Sequence, residues 1–182
     1  MSARVMTPTS VLVARQASTF QPELLLLTDG DGREVGRIEV PPLPQARNAR
    51  LRWHGDDVAR GSVTLACFGQ RSTIEFEYLT RAWASRVRFA VMREGVERAS
   101  AEVEGRDVRL TSPTAMSLVR THRFWRSRFA LRGEDGALVG RVEEPRVFAS
   151  TRELRAELPS TLAVEVQAFV LFLASNQLRR QV

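Results

Sequence analysis

The sequence predicts a closed antiparallel β-barrel of about twelve strands enclosing a hydrophobic C-terminal helix, as a single domain over residues 1–182. Three observations lead to that fold class. Short segments alternate apolar and polar residues with a period of two along most of the chain, the mark of strands with one buried face. One segment near the C-terminus is apolar on every side, which suits a helix buried all round. A nine-residue stretch occurs twice, beginning at Asp31 and at Asp135, and each copy reads as a hairpin. With 43% apolar and 26% charged residues, disorder, collagen and coiled coil are excluded.

The strands follow in order. Leu24 to Thr28 leads through Asp29-Gly30-Asp31-Gly32 into Glu34 to Val40, and Pro41, Pro42 and Pro44 then break the chain. Ala49, Leu51 and Trp53 alternate with Arg50, Arg52 and His54. Val63 to Phe68 is the next strand, and Ile74, Phe76 and Tyr78 alternate with Thr73, Glu75 and Glu77. Trp83, Ser85, Val87, Phe89 and Val91 enclose Arg86 and Arg88. Further strands are expected at Val96 to Glu104, Asp107 to Thr111, Met116 to Thr121, Phe124 to Arg132, Leu138 to Glu143 and Val147 to Glu157. Many short strands in sequence order form a meander or a barrel.

Two turns can be tested by charge. A turn at Arg81-Ala82 sets Glu77 against Arg86 and Glu75 against Arg88, and a turn at Gly105-Arg106 sets Glu102 against Arg109. Opposite charges then meet on the outer face, each pair contributing about 0.2–1 kcal/mol.

The helix is expected over 160–177. Ser160 or Thr161 can cap its start, and Arg179 and Arg180 suit the negative end of its dipole. About 15 residues at 1.5 Å each span roughly 23 Å, as does a tilted nine-residue strand. A twelve-stranded barrel is too wide for its own side chains to fill, so a central helix solves a packing problem.

Asp31-Gly32-Arg33-Glu34-Val35-Gly36-Arg37-Ile38-Glu39 aligns with Asp135-Gly136-Ala137-Leu138-Val139-Gly140-Arg141-Val142-Glu143, which suggests two similar halves of one sheet system. A strand, an Asp-Gly turn, a Val-Gly-Arg strand, then a long strand into an apolar C-terminal helix resembles the tubby C-terminal-like superfamily, above all its LURP-one-related and scramblase-like members. The resemblance covers about residues 9 to 178 and is strongest over Phe124 to Ala174. It implies a twelve-stranded barrel around Thr161 to Gln177. Tubby proteins bind phosphoinositides through basic side chains outside the barrel. No lysine-bearing site of that kind carries over, because this chain has no lysine.

All 27 basic residues are arginine, while asparagine and isoleucine occur twice each and tyrosine once. That imbalance points to a GC-rich, bacterial genome, and it discounts the net charge of +6 as a sign of nucleic-acid binding. The N-terminus lacks the apolar core of a secretory signal. The most apolar stretch, Leu162 to Ala174, is too short for a transmembrane segment. A cytoplasmic protein, peripheral at the membrane if it reaches one, is expected.

Candidate chemistry is sparse, and the sequence predicts neither catalysis nor a cofactor. One cysteine and two distant histidines give no metal-ligand spacing. His54, Asp56 and Asp57 read as solvated turn formers, Cys67 as a small core residue, and Trp53, Trp83 and Trp125 as packing. Glu165 lies in the first turns of the helix, where the dipole favours a carboxylate and an arginine at the barrel mouth can pair with it. Gly30 and Gly32 belong to a hairpin and cradle no phosphate. The cyclic-dinucleotide barrels of PilZ type also end in a helix, but their Asp/Asn-x-Ser-x-x-Gly motif is absent.

The outward arginines remain. Arg50 with Arg52, Arg86 with Arg88, and Arg126 with Arg128 each stand two apart on one face of a strand. Glu75 and Glu77 can neutralise Arg86 and Arg88, whereas Arg50, Arg52, Arg126 and Arg128 have no acidic partner nearby in sequence. These four form the candidate anion-binding patch of a non-enzymatic module that docks on anionic membrane lipid head groups; the alternative is a protein-interaction or scaffold domain with no lipid ligand. Nucleic acid ranks last, because Phe124 is the only clear outward aromatic.

Overall fold

The computed structural model describes residues 8–18, 21–39, 60–78, 86–122, 127–145 and 151–179. Twelve strands and one helix run in order: β1 (Thr9–Ser18), β2 (Gln21–Asp29), β3 (Glu34–Glu39), β4 (Arg60–Cys67), β5 (Gln70–Tyr78), β6 (Arg86–Arg93), β7 (Val96–Glu104), β8 (Asp107–Ser112), β9 (Met116–His122), β10 (Arg128–Gly133), β11 (Leu138–Glu143), β12 (Glu153–Pro159) and α1 (Val164–Arg179). Each strand pairs antiparallel with its neighbours in sequence, and β1 pairs with β12 from Thr9↔Pro159 to Arg15↔Glu153 to close the barrel. The expected architecture is the observed one.

Its first strand was not expected. In β1 the run Val11-Leu12-Val13-Ala14 hides the alternation, because Leu12 and Ala14 point into the core while the outward Val11 and Val13 are also half-buried. The strand expected at Ala49 to His54 lies outside the described residues, and β3 pairs directly with β4 from Gly36↔Cys67 to Glu39↔Thr64.

The helix fills the lumen. Every residue from Glu165 to Ser175 is buried, as befits a helix enclosed on all sides. Phe169 is fully enclosed, and Phe172 meets Phe89 of β6 edge to face at 5.6 Å. Inward residues such as Leu27, Ile38, Leu65, Ile74, Leu131 and Leu158 complete one continuous core. Sixteen residues span about 24 Å, enough to thread the wall from mouth to mouth. Three polar contacts fix the helix along its axis. Ser10 donates to Gln167 Oε1 at 2.8 Å, Arg93 bridges to Glu165, and Gln177 donates to the Gly105 carbonyl at 3.4 Å.

The helix starts at Val164, later than expected, and neither Ser160 nor Thr161 caps it. The Ser160 hydroxyl donates to the Pro8 carbonyl at 3.0 Å, and Leu162 N–H closes a turn onto Pro159. The first helical bonds run from Val166 and Gln167 to the Ala163 carbonyl. Ser160 thus ties the strand end to the chain before β1, and it is not available as a cap.

The two sequence repeats form the β2–β3 and β10–β11 hairpins with the same internal geometry. Leu27 faces Gly36 while Thr28 faces Glu34, and Leu131 faces Gly140 while Arg132 faces Leu138. Val35 and Val139 are therefore the extra residues of equivalent bulges. A third copy occupies β6–β7, where Val91 faces Ala99 and Met92 faces Glu97, leaving Arg98 as the extra residue. Each bulge follows a turn glycine at positive φ, Gly32, Gly95 or Gly136. The repeat falls on β3, β7 and β11, every fourth strand of twelve. The expectation of two halves is corrected to a three-fold pattern. Its third copy shares Gly95, the small residue Ala99 and Glu102 with both others, and Glu97 with Glu34 alone, so identity alone conceals it.

One expected register also differs. The β7–β8 turn at Gly105-Arg106 sets Glu102 against Arg109 as expected. In β5–β6, however, Glu77 faces Arg88 and Glu75 faces Ala90. The proposed Arg81-Ala82 turn lies outside the described residues. A shift of two preserves which face each side chain occupies, so matching outward charges cannot tell the two registers apart.

Candidate anion-binding site

Several outward arginines of the wall are spent on neighbouring carboxylates. Arg86 bonds Glu102, Arg88 reaches Glu97 at 2.6 Å, Arg141 reaches Glu157 at 2.6 Å, and Arg37 reaches Glu39 at 2.8 Å. Hydrogen bonding first and charge second push the Arg86 and Arg141 guanidinium pKa values further up, through Glu102 and Glu157 respectively.

Of the four expected patch residues, Arg50, Arg52 and Arg126 lie outside the described residues. Arg128 is outward and exposed on β10, but it does have an acidic neighbour. Its Nε stands 3.7 Å from Glu143 Oε2, directly across the β10–β11 pair. Glu143 is distant in sequence, and only the hairpin brings it alongside.

A different cluster of arginines gathers at the helix's C-terminal end. The β8–β9 ladder is short, from Val108↔Leu118 to Leu110↔Met116, whereas β9 continues along β10 as far as His122. Where β8 stops and β9 goes on, the wall opens into a cavity of about 310 Å³. Arg106, Arg109 and Arg120 line it, together with Asp107, Phe129 and Gln177.

Each position follows from local structure. Arg106 stands at the β7–β8 turn, which Gly105 permits with φ 56°. Arg109 is outward on β8, between the buried Val108 and Leu110. Glu102 faces it in the register but turns to Arg86, so Arg109 has no carboxylate partner among the described residues. Arg120 pairs in register with Phe129 and is held over that buried ring at 5.9 Å, while its NH2 donates to Ser127 Oγ at 2.9 Å.

Among the described residues, three guanidinium groups and one carboxylate line the cavity, and the planar forks of the arginines match the oxygens of a carboxylate or phosphate. Arg120 is already oriented by Phe129 and Ser127, which lowers the ordering cost of binding. The same cations complement the negative end of the α1 dipole, so they also steady the fold. Sequence reading passed over Arg109 because Glu102 was its expected partner. Arg106 and Arg120 carry no local signal, since what unites them is the point where one ladder ends.

The remaining candidates are accounted for as follows. Cys67 faces the core, and burial first, then the Glu165 carboxylate, pushes its thiol up to about 11. Glu165 pairs with Arg93 at 2.7 Å, as its position in the helix suggests. His54, Asp56, Asp57, Trp53, Trp83, Trp125 and Phe124 lie outside the described residues. Among the described residues no group of acidic, histidine or cysteine side chains could hold a metal ion, and no helix is long and apolar enough to cross a membrane. The chain matches no family model, no curated protein and no solved structure.

Proposed function

We propose that this barrel is a non-enzymatic binding module that docks reversibly on anionic membrane surfaces from the cytoplasm. The observation that carries the reading is the convergence of Arg106, Arg109 and Arg120 on one opening in the wall. A lipid phosphate would sit between these guanidinium groups. Arg128, at the β10 end next to β9, would add outward charge on the same wall, whereas Arg50, Arg52 and Arg126 lie outside the described residues. A barrel around an apolar helix is also what the tubby-like resemblance implies, and that resemblance supports a lipid ligand without assigning residues to it. Attraction of about 1 kcal/mol per arginine near the surface makes such docking salt-sensitive.

Co-sedimentation with anionic and neutral liposomes across a salt series tests the proposal. Selective binding to anionic vesicles, fading with salt and lost in an Arg106→Glu/Arg109→Glu double variant, supports it. Retention in that variant with loss in Arg126→Glu/Arg128→Glu would move the site to β10. Binding to neither vesicle type would end the membrane reading.

A further inference from the structure

Glu102 stands between two arginines that it does not bond. On the outer face of the wall it is opposite Arg88 of β6 on one side and Arg109 of β8 on the other. Arg86, diagonal to it on β6, donates instead, from Nε at 3.1 Å and from NH2, both to Glu102 Oε2. Arg88 leans along the sheet to Glu97 at 2.6 Å. Both arginines of β6 that flank Glu102 are thus paired with carboxylates of β7, and Arg109 is left without one among the described residues. On its other side Arg109 faces Ser117 of β9, which brings no charge. The other carboxylates nearby are Glu104 and Asp107, which face each other across β7 and β8. Glu104 lies on the diagonal from Arg109, about 7–8 Å between Cβ atoms, and Asp107 two residues along β8, whereas a residue directly opposite stands about 5 Å away. Glu102 is therefore the carboxylate best placed to occupy Arg109, and Arg86 is what draws it off.

We propose that Arg86 is a positioning residue of the anion site: by holding Glu102 it keeps the Arg109 guanidinium open to an anion. That role rests on the reading of the arginine-lined opening as an anion site, and it adds a residue that does not itself line the opening. Without Arg86, Glu102 has two arginines within reach. Arg88 would have to give up Glu97, whereas Arg109 gives up nothing, so Glu102 turns to Arg109. An ion pair there occupies the same planar fork that an anion would use. Apparent affinity then falls with the fraction of molecules whose Arg109 is free, although no contact of the anion itself has been removed. Arg88 provides the comparison. It stands two residues from Arg86 on the same face, with its side chain 44% exposed against 45%. Its loss releases Glu97, which lies at the β6–β7 turn end of its strand, away from Arg109.

The test follows the Arg109 side-chain Nε–H signal by NMR in the full chain, assigned by its loss in Arg109→Lys, with inorganic pyrophosphate as the probe. Pyrophosphate should move this signal in the wild type. Arg86→Met should shift it before any probe is added and weaken pyrophosphate binding by about fivefold or more. Arg88→Met removes the same charge, and should leave the probe-free signal in place and binding closer to wild type. Arg86→Met/Glu102→Gln has the wild-type net charge and should restore both the signal and the affinity. A loss caused by disturbed structure would not be restored by removing a second side chain, and melting temperatures establish that each variant is folded. An Arg109 signal that pyrophosphate leaves unmoved in the wild type overturns the site, and the positioning role with it. Where the wild type responds, the positioning role alone is overturned by any of three results: an unshifted signal in Arg86→Met, binding no weaker there than in Arg88→Met, or no recovery in the double variant.

Discussion

Arg93, the last residue of β6, reaches into the barrel mouth and holds the Glu165 carboxylate of α1 at 2.7 Å, while the same guanidinium bonds Gln70 of β5. One arginine thus ties two wall strands to the helix they surround. Both partners are largely buried, with side chains 23% and 11% exposed.

Removing one member of such a pair leaves the other charge stranded in a poor solvent. Arg93→Met is expected to lower stability by about 1–3 kcal/mol, the range for an unsatisfied buried polar group. Pairing it with Glu165→Leu should recover most of the loss, because the stranded charge is gone. Urea melts of the two single variants and the double variant would show the recovery, and additive losses would mean that the bridge is not the coupling between them.

Cys67 should behave as a buried thiol and not as a nucleophile. With its pKa pushed up to about 11, against 9.0 for the ordinary thiol, the thiolate fraction at pH 8 is about 100-fold lower. Labelling by a thiol reagent should be correspondingly slow in the native protein and should accelerate with pH toward 11. The folded state holds this proton more tightly than the unfolded state. The linked stability is therefore intact below about pH 9 and falls as pH rises toward 11. Glu165→Gln removes the smaller of the two causes and should speed labelling.

The bulge glycines can be separated from the turn glycines by substitution. A Cβ on Gly36 would collide with the Ala66 carbonyl oxygen and Cys67 Cα, and one on Gly140 would lie 2.8 Å from the Glu157 carbonyl oxygen. Both obstacles are backbone of the adjacent strand. A Cβ on Gly32 meets nothing within 4 Å, and only its φ of 81° opposes the change. Gly36→Ala should therefore lower the melting temperature more than Gly32→Ala, and equal effects would show that close approach of the strands is not what requires glycine.

Phe169 is fully enclosed by the wall and stacks on Phe172 at 6.4 Å between ring centres. Phe169→Ala should cost about 3–5 kcal/mol, the loss for a large buried aromatic that leaves a cavity. In a domain stabilised by about 5–15 kcal/mol that is a large share, and thermal unfolding would register it directly. A loss below about 1 kcal/mol would mean that the lumen collapses around the gap.

The fold was legible because period and polarity act locally. Phe89 and Val91 read as inward on β6, and Leu162 to Ala174 reads as apolar all round, from the chain alone. Glu102 against Arg109 was legible too, since a two-residue turn fixes the register. The site was not, because it depends on distances between strands. That Arg128 meets Glu143, that Glu102 prefers Arg86 to Arg109, and that β9 outruns β8 beside Arg120 are all results of assembly. The same holds for β1, whose half-covered Val11 and Val13 obscure its alternation.

That the lumen is filled by the element that follows all twelve strands sets an order of events during synthesis. Every inward side chain from Leu12 to Leu158 is made before α1 exists to cover it. At about 5–20 residues per second the ribosome takes about a second or more to add the helix once Pro159 is in place. Until then the inward face of the wall has no helix to cover it. The strand that closes the barrel on β1 and the helix that fills it are thus adjacent segments of the chain, and both come after every other strand.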